Sequence, residues 1–269
     1  MIGNIPQALV WAALGCGFTW LMTTAGSAVV FFFRSERKLM HHIFLGFAAG
    51  VMVAASVWSL LNPAIEQAEE AGVPGWLPAA GGFLLGVAFL MALDTFLPHL
   101  HADATDPEGV PSSWKRTTLL VSAVTLHNIP EGMSVGLLFA MAAQTAGAAG
   151  EAYLGMAMAL AIGIGLQNFP EGAAIPLPLA REGMSRRRAF AMGSLSGIVE
   201  PIFGVLVVLA SGWIAPFMPW LLAFAAGAMI YVVVEELIPE AHLGEHSNVG
   251  TLGFIVGFIV MMVLDVALG

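Results

Sequence analysis

The chain is 269 residues long and 58% hydrophobic, and only 10% of its residues are charged. An average soluble domain carries about 25% charged residues, so this chain cannot cover a globular surface with polar groups and must be solvated mainly by lipid. A cytosolic enzyme, a nucleic-acid-binding protein and a disordered chain are therefore excluded. The single cysteine, Cys16, lies in an apolar run, which excludes a disulfide framework, a thiolate zinc site and a CxxC redox site.

Eight segments are long and apolar enough to cross a bilayer core of about 30 Å, which takes roughly 20 residues per helix. The predicted spans 1 to 8 cover residues 7–33, 40–61, 76–98, 116–142, 152–180, 188–212, 216–239 and 248–268. Span 1 is expected to be a retained helix, because residues 1–7 contain no Lys or Arg. The hydrophilic stretches 62–75 and 101–113 are predicted to be loops. The fold class is thus all-α, with one polytopic transmembrane domain over residues 1–269.

The basic residues give the chain an orientation. All nine lie in loops or at helix ends, and with eight spans these positions fall on one side of the membrane. They are Arg34, Arg37, Lys38, Lys115, Arg116, Arg181, Arg186, Arg187 and Arg188. Because cytoplasmic loops carry an excess of Lys and Arg, these loops are predicted to be cytoplasmic and both termini extracellular or periplasmic.

A motif is repeated in spans 4 and 5. Residues 127–132 read HNIPEG and residues 167–172 read QNFPEG. Successive spans run in opposite directions, so the two copies form an inverted repeat, which is how many transporters build a substrate site at the midplane. Pro130 and Pro170 lack an N–H group, and each is expected to kink its helix and free a backbone carbonyl within the membrane.

Several ionisable and amide side chains lie near the middle of these spans. They are His127, Asn128 and Glu131 in span 4, Gln167, Asn168 and Glu171 in span 5, and Glu200 midway along span 6. Every Lys and Arg lies in a loop or at a helix end. A lone carboxylate at mid-bilayer costs at least a few kcal/mol, so protons or a cation must neutralise the carboxylates. The imidazole and the amide oxygens favour a cation. An oxygen-rich set with one nitrogen suits Zn, Fe(II), Mn, Co or Cd better than Cu(I).

A second group of polar residues lies toward the cytoplasmic ends of the spans. It comprises Asp94, Glu235, Glu236, Glu240 and the histidines His41, His42, His99, His101, His242 and His246. The carboxylates are candidates for a transport pathway, and the alternative is a solvated helix end. The extracellular loops contain no histidine, so the asymmetry suggests release inside and hence import. Asp265, near the outer end of span 8, is expected at the membrane interface.

The two motifs, the eight spans and the outward termini resemble the ZIP (Zrt/Irt-like) family of divalent metal transporters, in its GufA-like bacterial branch. The resemblance covers essentially the whole chain. It implies a multi-pass protein of the bacterial cytoplasmic (inner) membrane with a 3+2+3 arrangement of helices. It also implies a homodimer in which spans 1, 4, 5 and 6 move as a transport bundle against a scaffold of spans 2, 3, 7 and 8.

The resemblance further implies a binuclear metal site. It assigns one metal ion to His127, Glu131, Gln167 and Glu171, with Met52 as a further ligand candidate, and a second ion to Asn128, Glu131, Asn168, Glu171 and Glu200. Glu131 and Glu171 would bridge the two ions, and Asp94, Glu235 and Glu236 would line the exit route. Met52 has an alternative role as packing. The metal is the transported substrate, and no catalytic cofactor is expected.

Two other functions remain open from the residues alone. An intramembrane metallohydrolase could use His and Glu on membrane helices, but the sequence has neither an HExxH nor a GxSxG motif. A proton-coupled carrier of organic cations could use the same buried carboxylates. That function leaves His127 and the three amides without a clear role.

Overall fold

The computed structural model describes residues 4–33, 38–96, 116–181, 183–242 and 248–268. Across these ranges the regular structure is entirely helical, which agrees with the predicted fold class. The predicted loop 101–113, which contains His101, lies outside the described residues. His99 and His246 lie outside them as well.

Twelve α-helices follow one another in the described ranges. The first six are α1 (Ile5–Ser27), α2 (Lys38–Ala55), α3 (Asn62–Glu70), α4 (Trp76–Phe96), α5 (Arg116–Gln144) and α6 (Ala148–Ala174). The others are α7 (Pro176–Arg181), α8 (Arg186–Ser196), α9 (Val199–Ile214), α10 (Met218–Val232), α11 (Ile238–His242) and α12 (Val249–Leu268). Short 3₁₀ turns follow α1 and α9, at Ala28–Phe31 and Ala215–Phe217. π-helical turns join α2 to α3, at Ser56–Leu61, and α10 to α11, at Val233–Leu237.

Within the described residues, six segments are long and apolar enough to cross a membrane. They are Ile5–Phe31, Leu39–Glu70, Trp76–Phe96, Ala148–Arg181, Arg186–Ala241 and Val249–Leu268. The chain is therefore a multi-pass membrane protein. The segment Arg186–Ala241 is 56 residues long and contains both predicted spans 6 and 7. Helix α5 is 29 residues long and carries the polar motif 127–132.

The prediction of a loop over residues 62–75 is wrong for most of its length. The helix of span 2 continues through the π-helical turn into α3 and ends at Glu70. Pro63 does not end it, because this proline comes directly after the π-helical turn, where the regular hydrogen-bond ladder is already interrupted. The real turn is short and contains Gly72, whose φ of 76° favours glycine.

The helices pack as one polar-lined group and two apolar pairs. In the group, α1 and α5 contact each other and both contact α6 and α9, and the pairs are α2 with α12 and α4 with α10. Helix α6 also contacts α2 and α12, and α5 contacts α10. In the α2–α12 pair, a Cβ at Gly46 or Gly253 would overlap a backbone carbonyl of the other helix, so only glycine permits this close approach.

Asp265, near the end of α12, is buried against a neighbouring helix. It is 5% exposed and lies between α12 and the π-helical turn after α2, where Ser59 Oγ donates a hydrogen bond of 2.5 Å to its Oδ1. The other oxygen, Oδ2, has no hydrogen-bond partner among the described residues. The position of Asp265 at the membrane interface stays a prediction, and the structure adds that it faces a neighbouring helix there.

Loss of the Ser59 hydroxyl is expected to destabilise the protein. Ser59→Ala leaves both Asp265 oxygens without a donor, which should lower the free energy of unfolding by about 1–3 kcal/mol. Thermal unfolding in detergent micelles measures this change. The control is Thr95→Ala, which removes a hydroxyl from an exposed residue and should change stability by less than about 0.5 kcal/mol. Equal stabilities of the two variants would contradict the prediction.

Candidate metal site

The two motif glycines bring the motif helices against different neighbours. A Cβ on Gly132 would overlap the backbone of Glu200 on α9, and a Cβ on Gly172 would overlap the backbone of Thr23 on α1. Pro130 and Pro170 both lie inside their helices, which continue on either side. The repeated Pro-Glu-Gly sequence thus places one glutamate where α5 meets α9 and the other where α6 meets α1.

Glu200 lies at a helix break. Helix α8 ends at Ser196 and α9 begins at Val199, so Glu200 is in the first turn of α9, midway along the two helices that cover predicted span 6. Its backbone N–H donates to the carbonyl of Gly197 at 3.1 Å. The N-terminal end of a helix dipole stabilises a carboxylate, and broken helices near the midplane are typical of transporter substrate sites.

A hydrogen bond joins Glu131 to the second copy of the motif. Gln167 Nε2 donates a hydrogen bond of 2.5 Å to Glu131 Oε1, and both side chains are buried. Glu131 Oε2 and Gln167 Oε1 have no hydrogen-bond partner within the described part of the chain. Equivalent motif positions therefore do not pair with each other. The glutamate of the first copy pairs with the glutamine that begins the second.

Glu200 is held by donors from α6 and α1. Asn168 Nδ2 donates to Glu200 Oε2 at 2.8 Å and also contacts the carbonyl oxygen of Thr19 at 3.3 Å. Thr23 Oγ1 donates to Glu200 Oε1 at 3.4 Å. Asn128 Nδ2 donates to the carbonyl oxygen of Ser196, at the end of α8, at 3.2 Å.

The amide nitrogens of this cluster donate hydrogen bonds, but the amide oxygens accept none from the described residues. Asn128 Oδ1 and Asn168 Oδ1 are buried without a donor in the described structure, as are the two oxygens of the Glu131–Gln167 pair named above. A buried acceptor without a partner costs about 1–3 kcal/mol. Four such oxygens in one cluster form an environment that a divalent cation would satisfy, since carboxylate and amide oxygens are ligands for such ions.

Glu171 completes the acidic cluster. Its side chain is half-buried and interacts electrostatically with Glu131 and Glu200. It also interacts with His127 and Glu236. Three carboxylates thus lie near one another, and no Lys or Arg is among the groups that act on them. Their mutual repulsion favours a bound cation.

His127 contacts the opposite side of the site. Its Nε2 lies 2.5 Å from Glu236 Oε1 on the π-helical turn after α10, and both side chains are buried. Sequence analysis placed Glu236 on an exit route, with a solvated helix end as the alternative. The structure brings it directly to a motif residue, so the solvated helix end is excluded for Glu236.

Of the other pathway candidates, Asp94 also interacts electrostatically with His127. Glu235 is exposed, Glu240 is half-buried, and half-buried Asp94 interacts with Tyr231. His242 is the last residue of α11, and its side chain lies outside the described set. Met52 is buried in α2, and its carbonyl accepts a hydrogen bond from Ser56. Its role as a ligand stays a prediction.

In the described ranges, no three His, Cys, Asp or Glu side chains converge closely enough to hold a metal ion by themselves. A site here must therefore use amide oxygens as well. Gln167 and Asn168 now point their NH₂ groups at carboxylates, and a half-turn of each amide would present its oxygen instead. The two motif copies combine amides with carboxylates, so their charged side chains alone are too few to form the proposed metal site.

Thr19, Thr23 and Ser196 contact this cluster but were not sequence candidates. A signal was present in α1, where the buried residues Thr19, Thr23 and Ser27 recur every four residues in an otherwise apolar span. That spacing places three hydroxyls on one face of the helix. Small polar residues on one face of a membrane helix indicate the side that meets other helices.

A buried polar cluster on motif-bearing membrane helices is typical of a membrane transporter. Residues 112–265 match the family described as "ZIP Zinc transporter". The chain is 40% identical to "Zinc transporter ZIP11" of Homo sapiens, over 96% of this chain and 97% of that protein. It is 39% identical to "Zinc transporter GufA" of Myxococcus xanthus (84% and 86% covered) and 37% identical to "Zinc transporter ZIPB" of Bordetella bronchiseptica (96% and 82% covered).

The chain therefore belongs to the ZIP family and is a metal-ion transporter, not an enzyme. This result removes the intramembrane metallohydrolase from the alternatives. It confirms the family that the motifs HNIPEG and QNFPEG indicate.

Proposed function

We propose that this protein imports divalent transition-metal ions, with zinc as the main substrate and iron, manganese, cobalt and cadmium as further substrates. The observation that carries the proposal is the cluster of four buried, unpaired oxygens beside three carboxylates at the two motif copies. Relatives of high coverage are named as zinc transporters. Every Lys and Arg lies in a loop or at the end of a predicted span, so no basic residue from the middle of a span neutralises the cluster and the substrate cation does so.

We assign the ions to two adjacent sites. The first ion would bind His127, Glu131, Gln167 and Glu171, and the second would bind Asn128, Glu131, Asn168, Glu171 and Glu200. The contacts that support this assignment are the Glu131–Gln167 and Glu200–Asn168 hydrogen bonds, which already join ligands from different helices. Glu131 and Glu171 would bridge the ions, as carboxylates do in two-metal sites.

We place the chain eight times across the membrane, with both termini outside. Two features support this topology. The segment Arg186–Ala241 is too long for one crossing and is interrupted by the 3₁₀ turn Ala215–Phe217, and α5 has the length of a span. The basic loops then lie in the cytoplasm, and for a bacterial chain the membrane is the inner one.

Transport would proceed by alternating access of the midplane site. Helices α1, α5, α6 and α9 would move as a bundle against α2, α4, α10 and α12, within a homodimer. The His127–Glu236 contact crosses between these groups, and metal binding to His127 would compete with it. Asp94, Glu235 and Glu240 would then receive the ion on the cytoplasmic side, followed by His99, His242 and His246.

Uptake into liposomes tests the proposal. Purified protein in liposomes should accumulate radioactive zinc above protein-free liposomes, and excess cadmium, iron(II), manganese or cobalt should compete. Failure to transport any of these metals, together with accumulation of an organic cation under a pH gradient, would contradict metal import. It would favour the proton-coupled carrier instead.

Asn168 allows a separate test of the second ion. In Asn168→Asp the side chain loses the N–H that bonds Glu200, so two carboxylates face each other without metal. The metal-free protein should lose about 1–3 kcal/mol of stability, while added zinc should stabilise the variant more than the wild type. Thermal unfolding with and without zinc measures both changes.

The matched control is Asn4→Asp, which makes the same change at an exposed residue and should alter neither value. If zinc stabilises Asn168→Asp no more than the wild type, Asn168 does not face a metal ion.

A further inference from the structure

Both carboxylate oxygens of Glu200 receive a hydrogen bond from another side chain. Thr23 Oγ1 donates to Oε1 at 3.4 Å, and Asn168 Nδ2 donates to Oε2 at 2.8 Å. Glu131 differs, because its Oε2 is buried without a partner among the described residues. Thr23, Asn168 and Glu200 are each at most 1% exposed, so bulk water cannot supply these hydrogen bonds. The hydroxyl and the amide thus compensate part of the Glu200 charge from within the protein.

Both donors have a second acceptor nearby, and it is the same atom. The carbonyl oxygen of Thr19 lies 3.3 Å from Thr23 Oγ1 and 3.3 Å from Asn168 Nδ2. The Thr23 proton can turn from Glu200 to this carbonyl by rotation of the hydroxyl alone, since the position of a hydroxyl proton is not fixed by the side chain. If a cation binds Glu200, neither donor is therefore left buried without an acceptor, which would be destabilising.

Side chains of α1 also hydrogen-bond to both copies of the motif. Cys16 Sγ donates to the carbonyl oxygen of Gly132 on α5 at 3.7 Å. Ser27 Oγ donates to the carbonyl oxygen of Gly172 on α6 at 2.9 Å. These glycines occupy equivalent positions in the two copies, and α1 packs on α9 as well. Thr23 therefore stays beside the cluster when the bundle proposed above moves.

Gly197 leaves the space in which Thr23 and Glu200 meet. It lies between α8 and α9, and a Cβ on it would be 3.0 Å from Glu200 Oε1 and 3.0 Å from Thr23 Oγ1. Both distances are shorter than the 3.4–4 Å of ordinary contact. The backbone does not require glycine here, because its φ of −84° is open to any residue. The glycine thus has a steric role at this contact.

We propose that Thr23 is a positioning residue that holds Glu200 while no cation is bound, so that the empty transporter can return across the membrane. This role rests on the alternating access described under the proposed function. During the return the cluster passes through a state closed to water on both sides, where an unpartnered carboxylate is strongly destabilised. The Thr23 hydroxyl stabilises Glu200 in that state, and the carbonyl of Thr19 accepts the hydroxyl when the next cation binds.

Zinc transport in two modes tests this role. In net uptake into zinc-free liposomes the transporter returns empty, whereas in exchange of radioactive zinc for internal zinc it returns loaded. Thr23→Val keeps the branched shape of the side chain and removes the hydroxyl. It should slow net uptake by roughly fivefold or more while changing exchange by less than about twofold. Thr23→Ser restores the hydroxyl and should restore net uptake.

The matched control is Thr24→Val on the same helix. The Thr24 hydroxyl lies 2.7 Å from Ser194 Oγ, so this variant removes a hydrogen bond that does not involve Glu200. It should change net uptake and exchange by the same factor. If Thr23→Val also changes both modes equally, or changes neither, Thr23 has no role in the return of the empty transporter and the proposal is overturned.

Thermal unfolding gives a measurement that does not depend on transport. Without zinc, Thr23→Val should unfold about 2–4 °C below the wild type, and saturating zinc should remove the difference because the cation replaces the hydroxyl at Glu200. A difference that zinc leaves unchanged, or no difference without zinc, would overturn the role of Thr23. A wild-type protein that zinc neither stabilises nor crosses would overturn the proposed function, and the role of Thr23 with it.

Discussion

Replacement of Glu131 by glutamine is expected to reduce zinc uptake into liposomes to background. The variant keeps the size of the side chain and an oxygen that accepts from Gln167 Nε2, so the hydrogen bond of 2.5 Å can be retained. It loses the negative charge that would bridge two cations. Changing even a group that hydrogen-bonds to a metal ligand lowers metal affinity or activity by about 10–100-fold. Removal of a bridging ligand should therefore lower zinc uptake by roughly 100-fold or more.

The control for Glu131→Gln is Glu66→Gln, which makes the same change at an exposed position of α3. Both variants should elute and unfold like the wild type. Uptake by Glu66→Gln should be unchanged. If Glu131→Gln transports zinc at a rate within about twofold of the wild type, Glu131 is not a bridging ligand.

The second large effect is expected at Gly132, through packing alone. Gly132→Ala introduces a Cβ that overlaps the backbone of Glu200, so α5 and α9 must separate. Overpacking of this kind costs about 1–3 kcal/mol or more. Because Glu131 and Glu200 lie on the two helices that move apart, uptake should also fall by roughly tenfold or more, as for other changes to the support of a metal site.

Gly212→Ala is the matched control for Gly132→Ala. Gly212 lies on α9, and a Cβ there would meet no atom within 4 Å. Alanine in a helix is more stable than glycine by about 0.5–1 kcal/mol, so this variant should be as stable as the wild type or slightly more stable, with normal uptake. Thermal unfolding and zinc uptake measured on both variants check the prediction. Equal behaviour of the two glycines would show that the contact between α5 and α9 does not position the site.

The main features of the site could be predicted from the sequence because polar residues are rare inside the spans. The two motif copies and Glu200 stand out in an apolar background, and the structure places them in one region. The prolines and glycines within the motif could also be interpreted, because their backbone effects are local. The spans are similarly recognisable, since their length and apolar composition follow from the thickness of the bilayer.

Contacts between distant helices could not be predicted. His127 contacts Glu236, and Ser59 contacts Asp265. Glu236 and Ser59 both lie on π-helical turns, which no residue pattern in the sequence predicts. In a soluble helix the apolar face identifies the core, but here lipid and protein are both apolar surroundings. The side that faces other helices is then marked only by small and polar residues, as along Thr19 and Thr23 of α1.

The loop predicted at residues 62–75 illustrates the same difficulty at a membrane boundary. Acidic residues and Pro63 favour a loop when they are judged by composition. A helix that leaves the bilayer also needs polar residues, and here a proline is tolerated directly after a π-helical turn. Composition therefore indicated that the chain leaves the apolar region, and did not indicate that the helix ends there.

Anomalous diffraction from zinc-soaked crystals tests the central claim most directly. The account predicts two zinc peaks roughly 3.5–4 Å apart, the usual separation in two-metal sites, with Glu131 and Glu171 as ligands to both and Asn168 and Gln167 turned to present their oxygens. Zinc found only at the half-buried histidines His41 and His42, with Gln167 still donating to Glu131, would contradict it.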